Sequence, residues 1–181
     1  MQKKADKGEK FIQERVEELQ KIREKIAEAE KRGLPGRIVE FENLNADVTS
    51  GKKYMIAILN SRPTKDTRKF YPLARENLKL MVEMDNIIIE GLRQLTTGES
   101  KAKYMGSTTL RTGLYNNEWA NAVENLSPDE LIKQRIKWLE DDIRFNEKDI
   151  KVIRRYEEML DSREQARQKK LRDHVGGMRL D

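Results

Sequence analysis

Residues 127 to about 172 constrain this chain more than any other stretch, because they spell one long helix with a defined start. Ser127 stands at an N-cap position, Pro128 at the first helical position and Glu130 at the third. Ser127 and Glu130 can then satisfy orphan backbone donors reciprocally as a capping box. Leu126 and Leu131 fall where a hydrophobic staple would put them. Beyond the cap, Ile132, Ile136, Leu139, Ile143, Ile150, Ile153 and Leu160 keep spacings built from threes and fours, an a/d seam sustained over four heptads.

Two details of this helix bear on function. Asn146 holds a d position in mid-seam, where burial would fix register or partner at some cost in stability, and where a looser seam would leave it in solvent. A second stripe, Leu131, Trp138, Phe145, Val152 and Met159, recurs at strict intervals of seven at the c position. It lies roughly 130° around the wheel from the seam, too far to share one narrow interface. The helix is therefore expected to pack on two sides, either as the centre of a bundle or with one stripe facing another subunit. The interface candidates are Trp138, Phe145, Val152 and Met159, with Asn146 as the register residue.

The other segments supply partners. Residues 1–33 read as an N-terminal amphipathic coiled-coil helix with Ile12, Val16, Leu19 and Ile26 on a narrow seam, closed by Gly33 and Pro35. At about 1.5 Å per residue this helix is roughly 40 Å long and the last roughly 65–70 Å, so pairing the two leaves an overhang. Residues 34–126 form a central helical region. Within it, 37–60 is compatible with a small irregular or β-hairpin insert, although the run Tyr54 to Leu59 favours a helix. Pro72 opens a helix to about Leu95 whose apolar residues wrap more than half the cylinder, making it the expected buried centre. About 97–113 is polar and reads as an exposed loop, and 114–126 as a short amphipathic helix. Residues 127–181 are the long C-terminal helix, expected to fray into a basic tail. The fold class expected is all-α, an elongated helical bundle or coiled-coil hairpin.

Composition narrows the chemistry. Charged residues make up 38% of the 181 and apolar ones 36%, the balance of long solvent-exposed helices. There is no cysteine, so disulfides and thiol chemistry are excluded. The N-terminal lysines do not form a secretory signal and no apolar run is long enough for a span, so the expected setting is intracellular, in the cytoplasm or in a particle assembled there. The single histidine, His174, lies in the tail without a carboxylate or hydroxyl arranged around it. Asp141, Asp142, Glu147 and Asp149, with Glu83 and Asp85, read as a solvated, salt-bridged face, since no helix carries the Glu-x-x-His of a di-metal bundle. No catalytic site, cofactor, metal or small-molecule substrate is expected.

Two functional classes remain. The first is a structural or assembly protein that forms homo-oligomers or docks to other subunits, as a scaffold, adaptor or virion component does. The second is nucleic-acid binding through phosphate contacts by Arg37, Lys52, Lys53, Arg68 and Lys69 in the middle and Arg167, Lys169, Lys170 and Arg172 in the tail, with Tyr54, Phe70 and Tyr71 to stack on bases. The formal charge of +5 is modest for either. No helix-turn-helix, RRM or KH signature is present.

Overall fold

The structure, a computed structural model, describes residues 2–31, 38–49, 51–109 and 125–177, and within these the side chains of all but 2–6, 39–40, 52–53, 105–109 and 176–177. The described residues form seven helices and no strand: α1 (Gln2–Lys31), α2 (Ile38–Thr49), α3 (Lys52–Asn60), α4 (Lys65–Arg68), α5 (Tyr71–Arg93), α6 (Gly98–Thr109) and α7 (Pro128–Gly177). The all-α expectation holds. The Gly33–Pro35 helix stop and the 114–126 helix lie outside the described residues.

α5 is the hub. Pro72 fits its first turn, where a missing N–H costs nothing. Its buried residues, among them Leu78, Leu80, Met81, Met84, Ile88 and Leu92, cover most of the cylinder. α7 packs chiefly along α5, and α2 and α1 pack on other sides of it. The long helix thus leans on α5 rather than on α1, and the coiled-coil hairpin of first and last helices is not formed. The α7 seam enters the core as expected, with Ile132, Leu139, Ile153 and Leu160 buried and Ile136, Ile143 and Ile150 packed beside them.

The start of α7 has the expected box. Ser127 donates its backbone N–H to Glu130 Oε2 at 3.0 Å, and Glu130 donates its own to Ser127 Oγ at 3.3 Å. The Ser127 backbone N–H, and after it the Ser127 hydroxyl, which donates to the same Oε2 at 2.9 Å, hold the Glu130 carboxyl below its usual range.

Three segments differ from expectation. Residues 38–49 and 52–60 are two helices rather than a hairpin, the second being the helix favoured for Tyr54 to Leu59; they meet at Gly51, whose N–H reaches Val48 O at 3.3 Å. Alternating apolar runs this short fit either period, and packing on α5 selects the helix. The polar stretch after Thr97 is helix α6, not a loop. Thr97 Oγ1 caps it by accepting from Ser100 N at 3.1 Å, Lys101 pairs with Asp129 at 2.7 Å, and Tyr104 is buried. Lastly, α7 does not fray after Asp161. It stays helical to Gly177, past the body of the bundle, in a sequence of good helix formers. From Asp161 to Val175 every residue but Glu164 is exposed, and that arm is about 20–25 Å long.

The buried face of α1 is also shifted. It runs Arg15, Leu19, Ile22, Ile26 and Ala29, in steps of four and three, while Val16 of the expected seam is 50% exposed. Arg15 takes the inner place because both terminal nitrogens of its guanidinium find partners there, while its Nε stays buried without one. Its Nη2 donates to Val48 O at 3.1 Å and to Asn77 Oδ1 at 2.9 Å, and its Nη1 pairs with Glu18.

Candidate functional site

Two features stand out from this packing: a polar layer inside the bundle, and the outer face of α7.

The inner layer joins four helices. Glu42 of α2 accepts at Oε1 from Tyr104 OH of α6 at 3.1 Å and from Arg135 Nε of α7 at 3.0 Å. One turn along α2, Asn45 Nδ2 donates to Asp85 Oδ1 of α5 at 2.9 Å. Asp85 also shares a hydrogen bond with Asp142 of α7, and Asn146 Nδ2 donates to Asp142 Oδ2 at 3.1 Å. Asp85 is fully buried and its Oδ2 has no donor. Two carboxyls can share a hydrogen bond only if one keeps its proton. Burial, reinforced by the charge and hydrogen bond of Asp142, pushes Asp85 up to about 8, against the smaller opposing pull of Asn45 and Arg135.

Asp85 and Asp142 therefore do not belong to a solvated face. Asp85 sits in the core on α5 and Asp142 half-buried on the facing side of α7, where polar partners on α2 and α7 make burial tolerable. Among the described residues no group of three or more His, Asp or Glu is placed to hold a metal ion. The layer has the form of a register device: each link crosses between helices or, as with Asn146 and Asp142, fixes a group that does.

Asn146 is part of this layer. At 1% exposure it faces the bundle interior, so it is removed from the interface candidates and its specifying role is internal.

The outer face is built from the seven-residue stripe. Such a stripe walks about 20° per heptad around a straight α-helix, because seven residues fall short of two full turns. Over its first three positions the burial follows that drift. Leu131 is in the core at 0% exposure, Trp138 is half-buried, and Phe145 is 64% exposed. Val152 and Met159 are half-buried but outside the core cluster. The stripe is thus most exposed at Phe145.

One side of it is basic. Lys148 and Arg155 lie in the notches three residues after Phe145 and Val152, and Lys137, Arg144 and Lys151 form the next row out, all exposed. Asp141 shares this rim and is paired to Arg144. The other four cations make no ion pair among the described residues.

The nucleic-acid candidates are only partly assembled. Arg37 and the side chains of Lys52 and Lys53 lie outside the described residues. Arg68 pairs with Asp161 and Lys65 with Glu164, which ties the middle segment to α7 beside Arg163 and Arg167 in a shallow cleft. Lys69 sits over the Phe70 ring at 5.3 Å. Arg167, Lys169, Lys170 and Arg172 are exposed on the free arm of α7. The proposed stacking rings are committed elsewhere. Tyr71 is buried against Tyr156, and Tyr54 meets Phe11 edge to face at 5.3 Å.

Sequence reasoning missed Glu42, Arg135, Arg15, Asn77 and Tyr104. For the first four the signal was positional, since each is spaced three or four from a core residue; Tyr104 is, among the described residues, the one buried ring in a polar stretch. No described helix is long and apolar enough to cross a membrane. No known protein family, curated protein or solved structure matches the chain.

Proposed function

We propose that this chain is a non-enzymatic assembly protein that docks a helix of another subunit, or of a second copy, on the outer face of α7. The observation that carries this reading is Phe145, a large aromatic ring 64% exposed at mid-length, in register with half-buried Trp138, Val152 and Met159. Large apolar and aromatic side chains at regular helical spacing are what desolvated anchors are made of. The interior supports the same role, because its polar residues are engaged with one another across helices and hold α7 in one register. Scaffold, adaptor and virion component all fit this role, and an intracellular site, or a particle assembled there, goes with it.

The second reading, contact with nucleic-acid phosphates, rests on one observation. The cleft at the base of the α7 arm brings Lys65 and Arg68 beside Arg163 and Arg167, and the arm carries Lys169, Lys170 and Arg172 onward. Asp161 and Glu164 already neutralise two of those cations, which favours the docking reading.

Light scattering on wild type and Phe145→Asp, at low and high salt and with or without a DNA duplex, separates the two. Association with itself or with a helical partner that survives high salt and disappears in Phe145→Asp supports docking. Association only with duplex, and only at low salt, supports the basic arm instead.

A further inference from the structure

We infer that the partner helix of the α7 outer face is acidic and amphipathic and belongs to a different chain. This rests on the docking reading and adds the chemistry of the occupant. The apolar part of the face is one residue wide at a seven-residue period, which fits a single helix with its own seam of that period. The specifying part is the rim. Lys137, Arg144, Lys148, Lys151 and Arg155 line one side of the stripe over about five turns, and four of the five have no acidic partner among the described residues.

That rim argues against a second copy. In an antiparallel pair of identical helices the same flanks face each other, so basic row would meet basic row. In a parallel pair the basic row would meet the opposite flank. There Asp142 is bonded to Asn146 and shares a hydrogen bond with Asp85 inside the bundle, and Asp149, four residues after Phe145, is half-buried and already has a partner. Neither arrangement neutralises the cations. A partner with Glu or Asp on the matching flank does, in either sense, and charge complementarity of this kind selects partners more than it adds affinity.

A lipid surface fits less well. A helix lying in a membrane interface buries a broad apolar face. Here the apolar strip is narrow, and on the side away from the rim α7 packs into its own bundle. Phosphates would satisfy the rim but leave Phe145 in water.

The test is a titration of labelled synthetic helices about four heptads long, with leucine at the seam and either glutamate or lysine on the flanks, followed by anisotropy. The targets are wild type and the triple variant Lys148→Glu, Lys151→Glu, Arg155→Glu. All three substituted side chains are exposed, and circular dichroism checks that the variant folds. Wild type is expected to be monomeric alone and to bind the glutamate helix at least about tenfold more tightly than the lysine helix, with the order reversed in the variant. Equal affinity for both helices, or an order the triple variant leaves unchanged, would overturn the inference. A self-associated wild type whose association depends on Phe145 would also overturn it while leaving the docking face standing. Binding to phosphatidylserine vesicles or to a DNA duplex, with neither helix bound, would remove both.

Discussion

Asn146 Nδ2 donates to Asp142 Oδ2 at 3.1 Å from one turn further along α7, and so fixes the carboxyl that meets Asp85 across the bundle. The chain from Asn45 through Asp85 and Asp142 to Asn146 joins α2, α5 and α7 by their buried polar groups alone. Apolar packing on α5 tolerates sliding of α7 by a heptad; this chain does not.

Its pH dependence follows from Asp85. The folded chain holds a proton with a value of about 8, whereas an ordinary aspartate at 3.8 has released it. The folded state therefore binds more protons between those values. For this group, stability is fully present below about pH 4, falls as pH rises, and levels off above about pH 8, a change of a few kcal/mol. Asp85→Asn can still accept from Asn45 and donate to Asp142. It is expected to flatten that slope and to be more stable than wild type at high pH. Urea unfolding of both proteins from about pH 5 to about pH 9 checks this, and parallel slopes would contradict it.

Gly51 makes the second prediction. A Cβ there would lie 2.5 Å from Arg15 Nη2 and 2.8 Å from Asn77 Oδ1, inside the bonds that seat α1 on the α2–α3 corner. Gly51→Ala is expected to cost about 1–3 kcal/mol. At Gly98, where an added Cβ meets nothing within 4 Å, the same change is expected to be neutral or slightly stabilising. Chemical denaturation of the pair measures the difference.

The arm of α7 makes the third. From Gln165 to Val175 every residue is exposed, whereas Glu164 still reaches Lys65. A chain ending at Glu164 is expected to unfold within about 0.5 kcal/mol of the full chain. If the arm contacts phosphates, the truncated chain loses duplex binding and its salt dependence without any change in helix docking.

Much of this architecture was legible in the sequence, and the residues show why. Ser127, Pro128 and Glu130 act through local geometry, so the start of α7 could be read without knowing its neighbours. α5 was legible as the centre because its apolar residues exceed one face. Arg15, Glu42, Asp85 and Asn146 were hard to place because their burial depends on partners 40 to 93 residues away, or on a neighbour so held. Arg15 displaced Val16 from the inner face for that reason. Tyr104 likewise turned an apparent polar loop into a packed helix, through one bond to Glu42. The outer stripe was visible as a period. Its passage from core to solvent needed the drift of a straight helix, which the period alone does not show.

The most direct measurement titrates wild type and Phe145→Asp with the glutamate-flanked helix and records the thermal midpoint of the same samples. An unchanged midpoint with affinity reduced at least about tenfold is expected, since the ring is exposed and anchors the partner. A collapsed midpoint would place Phe145 in the core, and unchanged affinity would place the partner elsewhere. Either result would contradict the docking role of α7.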